Sequence, residues 1–153
     1  MTTIPVALTA NGYQIRVERG ILSRAGEEIA AVTKARRAAL ISDSQVGPLY
    51  AAQVKESLEK AGFTVHTVDF PAGEANKTDA TLHMLYDVLL SWGMTRGDAV
   101  VALGGGVVGD TAGYAAATLF RRMDCIQIPT SLRAQVDSSV GGKTGVDLPQ
   151  GKN

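Results

Sequence analysis

Residues 98–120, DAVVALGGGVVGDTAGYAAATLF, decide the fold. An apolar run, Ala99–Leu103, meets three consecutive glycines and continues into a stretch of small residues with no proline. A short Val-containing apolar run of this kind reads as a strand buried on both faces, as in a parallel sheet. The segment after the glycines reads as a helix dominated by small side chains. Gly104, Gly106 and Gly109 satisfy G-x-G-x-x-G between the two. Glycines there let the chain turn tightly and let amides approach a diphosphate, and the helix N-terminus adds partial positive charge. The pattern alone is common; the strand–loop–helix setting gives it weight.

The rest of the chain repeats the alternation. YQIRVERG (13–20) alternates apolar and polar residues and reads as a half-exposed strand, with PVAL (5–8) pairing to it across TANG (9–12). ILSRAGEEIAAV (21–32) carries Ile21, Leu22, Ala25, Ile29 and Val32 at helical spacing. RAALISD (37–43) is a buried strand ending in an acid. VGPLYAAQVKESLEKAG (46–62) is a helix with Val46, Leu49, Tyr50, Val54 and Leu58 on its apolar face, a Glu56–Lys60 pair, and Gly62 as its stop. FTVHTVDF (63–70) is a strand, PAGEANKT (71–78) a loop, and DATLHMLYDVLLSWG (79–93) a helix with Leu82, Leu85, Tyr86 and Leu89 on one face. CIQIP (125–129) is a last strand. A hairpin followed by repeated α/β alternation predicts a Rossmann-like, mostly parallel sheet with helices on both faces.

Composition narrows the function. The 153 residues are 45% apolar and 20% charged, which suits one domain of ordinary globular make-up. No apolar run is long enough to span a membrane. The opening has no basic segment followed by an apolar block, so the expected location is the cytoplasm. Fifteen basic residues balance fifteen acidic ones, so no global field draws nucleic acid. Residues 121–153 carry five Lys and Arg against three Asp and Glu, a mild positive bias that fits a small anionic ligand. A lone Cys125, inside an apolar stretch, reads as a small buried hydrophobe.

Open parallel sheets bind ligands beyond the carboxyl ends of their strands. Asp43 follows one predicted strand, PAGEANK another, GGGVVGD a third, and Thr130-Ser131 a fourth. Together they outline one crevice. The glycine loop comes after other α/β units, and CIQIPTS offers hydroxyls where a ribose-binding acid is usual. Asp43 is therefore the candidate for an adenosine ribose, with helix capping as its equally weighted alternative. Asp110, at a helix start, suits the dipole but repels phosphate, which favours sugar hydroxyls or an amide as its ligand. VGGKTG (140–145) resembles a P-loop, but Asp137 stands where G-x-x-x-x-G-K-[ST] needs glycine.

LGGGVVGDTAGYAAAT (103–118), IPTSLRAQVDSSVGGKTGV (128–146) and GKN (151–153) resemble the 3-dehydroquinate synthase family, and PAGEANKT resembles its G-E-x-x-K loop. The resemblance runs through all 153 residues. It implies an N-terminal NAD-binding domain over 1–153, and a helical second domain, absent from this sequence, whose Glu and two His hold a divalent Zn or Co. It implies a homodimer, a small phosphorylated sugar acid as substrate, and a shikimate-pathway reaction. In that reaction 3-deoxy-D-arabino-heptulosonate 7-phosphate becomes 3-dehydroquinate and phosphate, and this portion alone is expected to be inactive.

By position, the resemblance implies that Asp43, Gly73, Glu74, Lys77, Thr130 and Ser131 contact NAD. The loop residues Gly105, Gly106, Val107, Val108, Gly109 and Asp110 take its diphosphate and nicotinamide side. Lys143 and Lys152 bridge cofactor and substrate, Asp137 and Asn153 bind substrate hydroxyls, and Arg121 reaches substrate phosphate in a neighbouring subunit. No metal ligand is expected here; His66, in a strand before the motif region, and His83, on an amphipathic helix, read as surface or core histidines. Arg133 departs from the family's usual leucine, a costly charge if buried. A sister sugar-phosphate cyclase, a glycerol-type dehydrogenase domain and a non-catalytic NAD-binding remnant are the alternatives.

Overall fold

In the computed structural model, which describes residues 1–153, strands β1 (Thr2–Val6) and β2 (Tyr13–Val17) pair antiparallel as an opening hairpin. Strands β3 (Arg37–Asp43), β4 (Thr64–Phe70), β5 (Ala99–Gly104) and β6 (Asp124–Pro129) form a parallel sheet in the order β4–β3–β5–β6. Helices α1 (Ala25–Ala30), α2 (Gly47–Lys60), α3 (Asp79–Ser91) and α4 (Gly106–Thr118) connect them. No helix is long and apolar enough to cross a membrane.

The two central strands explain the layering. Every residue of β5, and every residue of β3 after Arg37, is buried. Alternation sends their side chains to opposite faces. Ala38 and Leu40 join Ala99, Val101 and Leu103 beneath Ile29, Val54 and Leu58. Ala39 and Ile41 join Val100 and Ala102 beneath Leu82, Leu85, Leu89 and Ala112. Thus α1 and α2 cover one face, and α3 and α4 the other. The chain steps from β3 out to β4, then crosses back over β3 to β5. The carboxyl ends of β3 and β5 are therefore the topological switch point.

Local signals set the element ends. Gly62, at φ +96°, closes α2: its N–H donates to the Glu59 carbonyl at 3.0 Å, and that of Phe63 to the Leu58 carbonyl at 3.0 Å. Thr78 opens α3 by accepting the Thr81 N–H at 3.2 Å. Arg16 of β2 pairs with Glu28 at 2.7 Å and holds the hairpin against α1, and Arg24, just before α1, pairs with the same Glu28 at 3.0 Å.

Some expectations shift. The first hairpin strand is Thr2–Val6 rather than residues 5–8. The first helical segment is a 3-10 turn, Ile21–Arg24, then six residues of α-helix, so Val32 lies past its end, 64% exposed. Leu49 is 71% exposed because it sits five residues before Val54, about 140° around the helix. Cys125 is exposed rather than buried, because β6 is an edge strand paired only with β5.

The contact between α1 and α2 is close enough to test. A Cβ on Gly26 would lie 2.0 Å from the Ser57 carbonyl oxygen, and the Gly26 N–H donates to Ser57 Oγ at 2.9 Å. Gly26→Ala must push the helices apart, at a cost of about 2 kcal/mol. For a chain of this size that lowers Tm by roughly 4–8 °C in thermal unfolding followed by circular dichroism. An unchanged Tm would show that the two helices do not meet this way.

Candidate functional site

The strand ends at the switch point are stitched together. Ser42, fully buried on β3, donates its hydroxyl to the Leu103 carbonyl at 2.7 Å. The Thr130 N–H donates to the Gly104 carbonyl at 2.9 Å, which joins the end of β6. The Ala72 N–H donates to Ser44 Oγ at 2.9 Å, which draws in the loop after β4. All four strand ends thus open on one edge.

Asp43 closes the turn that leads into α2: its Oδ1 accepts the Gln45 and Val46 N–H groups at 2.9 and 2.8 Å, while the N-cap position itself, Val46, has no side-chain cap. Its Oδ2 takes no part in those bonds. Asp69 sits against the same helix start, where a Cβ on Gly47 would meet its Oδ2 at 2.3 Å. Burial, and then the Asp43 charge, push the Asp69 carboxyl above its ordinary range.

The glycine loop works by leaving space rather than by unusual backbone angles, since none of Gly104, Gly105, Gly106 and Gly109 has positive φ. A Cβ on Gly104 would lie 2.5 Å from Val108 Cγ2, and one on Gly109 2.6 Å from Gln127 Oε1. One turn on, a Cβ on Gly113 would lie 2.5 Å from Thr144 Cγ2. Gln127 Nε2 donates to the Gly109 carbonyl at 3.1 Å. Helix α4 therefore lies unusually close to β6 and to the segment beyond it. Its N-cap, Gly105, supplies no side chain, and its first turn holds no acid. The amides of Gly106, Val107 and Val108 are left without an intrahelical partner and carry the positive end of the dipole.

Asp110, one turn in, pairs with Lys77 at 2.8 Å, the two side chains being 15% and 6% exposed. Lys77 Nζ also donates to Asn153 Oδ1 at 2.5 Å. Gly73, at φ +114°, precedes the short turn Glu74–Asn76 that delivers Lys77. Asp147 donates its N–H to the Lys77 carbonyl at 2.7 Å. Three separated segments, 73–77, 106–110 and 145–153, therefore meet at one buried ion pair.

After β6, Ser131 Oγ accepts the Ala134 N–H at 3.2 Å and lies 3.6 Å from where a Gly105 Cβ would be. It begins a single wide turn of π type, Ala134–Ser138, whose Ser138 Oγ would lie 3.2 Å from a Cβ on Gly106. Asp137 and Lys143 pair with each other while both stay more than half exposed. The Lys143 ammonium, by hydrogen bond and by charge, holds the Asp137 carboxyl below its usual range. Gly141 and Gly142, at φ +85° and +71°, make the turn before Lys143, a conformation glycine adopts without strain. Lys152 is exposed. Arg133 is exposed too, so its charge carries no burial cost.

Arg121 stands apart. It lies just past α4, at the opposite edge of the sheet, with Phe120 and Arg121 at φ 56° and 69°. With Thr95, Arg96 and Phe120 it lines an open cleft of about 390 Å³. His66 stacks on Trp92 at 4.9 Å, and His83 tilts against Tyr86 at 5.8 Å. No group of three or more His, Cys, Asp and Glu side chains could hold a metal ion. Sequence patterns alone do not single out Ser42, Gln127, Ser138 or Asp147. Gln127 carries a signal nonetheless: it is the one polar residue in CIQIP, opposite a glycine-rich helix. Asp147, just before Leu-Pro, has the look of a turn former.

The family profile described as "3-dehydroquinate synthase N-terminal" matches residues 67–153. The 3-dehydroquinate synthase of Latilactobacillus sakei subsp. sakei is 52% identical over all 153 residues, which span 43% of that relative's length. A crystal structure of 2-deoxy-scyllo-inosose synthase, complexed with carbaglucose-6-phosphate, NAD+ and Co2+, superposes with a TM-score of 0.90 at 30% identity, over 99% of this chain and 41% of that one. The 2-epi-5-epi-valiolone synthase of Streptomyces hygroscopicus subsp. jinggangensis, with NAD+ and Zn2+ bound, superposes with a TM-score of 0.82 at 30% identity, over 97% of this chain and 41% of that one. A sheet that gathers its glycine loop, its G-E-x-x-K loop and its GKN segment around one ion pair thus meets both a family profile and a near-complete structural match, and the chain belongs to the 3-dehydroquinate synthase family.

Proposed function

We propose that this chain is the NAD-binding part of a cytoplasmic, homodimeric 3-dehydroquinate synthase, which converts 3-deoxy-D-arabino-heptulosonate 7-phosphate to 3-dehydroquinate and phosphate. The observation that carries this reading is the uncapped N-terminus of α4 at the switch point, open to an anion and walled by three loops. NAD held here would supply a reversible hydride acceptor for a substrate alcohol. The amides of Gly106, Val107 and Val108 receive the diphosphate. The Oδ2 of Asp43, left over from the bonds that close the turn, accepts from the adenosine ribose hydroxyls. Gly73, Glu74, Thr130 and Ser131 form the flanking walls.

Lys77 is assigned a different task from the other lysines. Its charge is spent on Asp110, so it fixes the loop and the helix rather than meeting phosphate. Lys143 and Lys152, both exposed, are the cations available to phosphate and to developing oxyanions. Asp137 and Asn153 accept from and donate to substrate hydroxyls. Arg121, at the far edge of the sheet, can serve only a neighbouring copy's substrate phosphate, which is the basis for the homodimer. Residues to hold Zn or Co are not among those of this chain, so no step is derived through a metal.

Two experiments test the reading. Titrating NAD into the folded chain at millimolar concentration should give saturable heat in a calorimeter, while the same sample with NAD, substrate and a divalent metal should form no 3-dehydroquinate. Absence of heat rejects the site, and product formation rejects the division of labour. In the second, Asp110→Leu strands the Lys77 ammonium and should cost about 3–5 kcal/mol in denaturant unfolding. Lys77→Met in the same chain should recover part of that loss, with a coupling of about 1–3 kcal/mol. Simple additivity of the two substitutions would show that the pair is not the joint it is taken for.

A further inference from the structure

Asp147 lies outside every motif that defines the site, yet its contacts reach into all of it. Its N–H donates to the Lys77 carbonyl at 2.7 Å, beside a short parallel bridge between Thr78 and Asp147. Its Oδ1 accepts the N–H of Asn153 at 3.1 Å. Between them, Leu148 and Gly151 exchange backbone hydrogen bonds at 2.8 and 3.0 Å and close the turn over Pro149 and Gln150. Asn153 then accepts from Lys77 Nζ, which pairs with Asp110. The contacts make a ring: Asp147 to Asn153, Asn153 to the Lys77 side chain, and the Lys77 backbone to Asp147. Lys152 sits inside that ring and has no partner of its own within ion-pair distance.

We infer that Asp147 is a positioning residue: its carboxylate oxygen clasps the 147–153 turn shut and thereby presents Lys152 and Asn153 to the crevice, a role that rests on the NAD-site reading above. A free Lys-Asn pair on a Gly-Pro-containing turn would sample many orientations and lose affinity to the cost of ordering. The clasp removes that cost beforehand. Asn153 adopts φ 54°, a left-handed conformation that Asn tolerates better than most residues and that a held amide stabilises. The Asn153 amide holds the Asp147 carboxyl below its usual range, partly opposed by desolvation, and Glu74, Lys77 and Lys152 add to the lowering. A hydrogen bond to an ionised acceptor is the stronger kind, which suits a contact that must hold an exposed turn.

The full chain with Asp147→Ala or Asp147→Asn decides this. Asn keeps an oxygen at the acceptor position; Ala does not. In amide hydrogen exchange, Asp147→Ala should lower protection of the Asn153 N–H about tenfold while β5 amides keep theirs, and Asp147→Asn should keep most of it. In calorimetry, Asp147→Ala should raise the NAD Kd about tenfold and Asp147→Asn should restore most of the loss. Unchanged Asn153 protection in Asp147→Ala, or equal loss in the two variants, overturns the clasp. Lost protection with an unchanged NAD Kd overturns the positioning role. If the parent chain binds no NAD, the function proposed above falls, and the exchange experiment still decides the clasp.

Discussion

Helix α4 rests where it does because its surroundings leave no room for a methyl group. A Cβ at Gly104, Gly109 or Gly113 would meet Val108, Gln127 or Thr144 at distances no real Cβ tolerates, and one at Gly106 would lie 3.2 Å from Ser138 Oγ, a tight but less severe contact. This closeness, and not a special backbone angle, is what the glycines contribute. It sets the helix start level with the carboxyl ends of β3, β5 and β6. It also brings the segment after β6 down onto the helix, so that residues 138–145 become a wall instead of a loose tail. Every later feature of the site depends on that one packing distance. A single β-carbon at Gly113 would lift Thr144 and, with it, the Gly145 N–H that donates to the Asp110 carbonyl at 3.3 Å.

The buried Lys77–Asp110 pair is the second joint, and its energetics explain its surroundings. Taking both charges out of water costs several kcal/mol per ion, and attraction alone seldom returns all of it. Here the deficit is reduced by an extra partner: Asn153 Oδ1 takes a second ammonium proton. The pair is therefore better read as a register device than as a source of stability. It fits only if the loop after β4, the start of α4 and the turn at 147–153 arrive together. A half-formed version leaves a charge uncompensated, and that penalty separates the assembled arrangement from near alternatives.

Much of this is legible from residues alone, for identifiable reasons. Strands β3 and β5 are continuous apolar runs because both faces are covered, and such runs announce themselves. Leu82, Leu85 and Leu89 mark the face of α3 at ordinary helical spacing. Crevice residues are found at the carboxyl end of each strand, because strand direction fixes which ends gather. Other parts are hidden by physics that spacing does not encode. Leu49 has the composition of a core residue but the wrong angular position. Val32 continues a helical pattern past the point where the helix stops. Asp43 stands before a helix, and its position in the sequence does not tell that one carboxylate oxygen is taken by the Gln45 and Val46 amides of the turn ahead of it. Asp147 escapes notice because its carboxylate serves only its own turn, at Asn153, and the turn is tied to the site by a backbone contact with Lys77, about seventy residues earlier, which no local pattern records.

The crevice contains three lysines, and their partners separate them. Lys77 is 6% exposed and shares its charge with Asp110 and Asn153, so a ligand that recruited it would have to break a buried pair. That cost exceeds what one phosphate contact returns. Lys143 is also paired, with Asp137, but both groups are more than half exposed. Such a pair is screened by water and is exchanged cheaply. Of the two pairs, Lys143–Asp137 is therefore the cheaper to open. Lys152 has no ion-pair partner to give up and depends instead on the turn that carries it. The same residue type thus supplies a fixed joint, an exchangeable contact and a presented charge. Burial and pairing, read together, separate the three where sequence spacing makes them look alike.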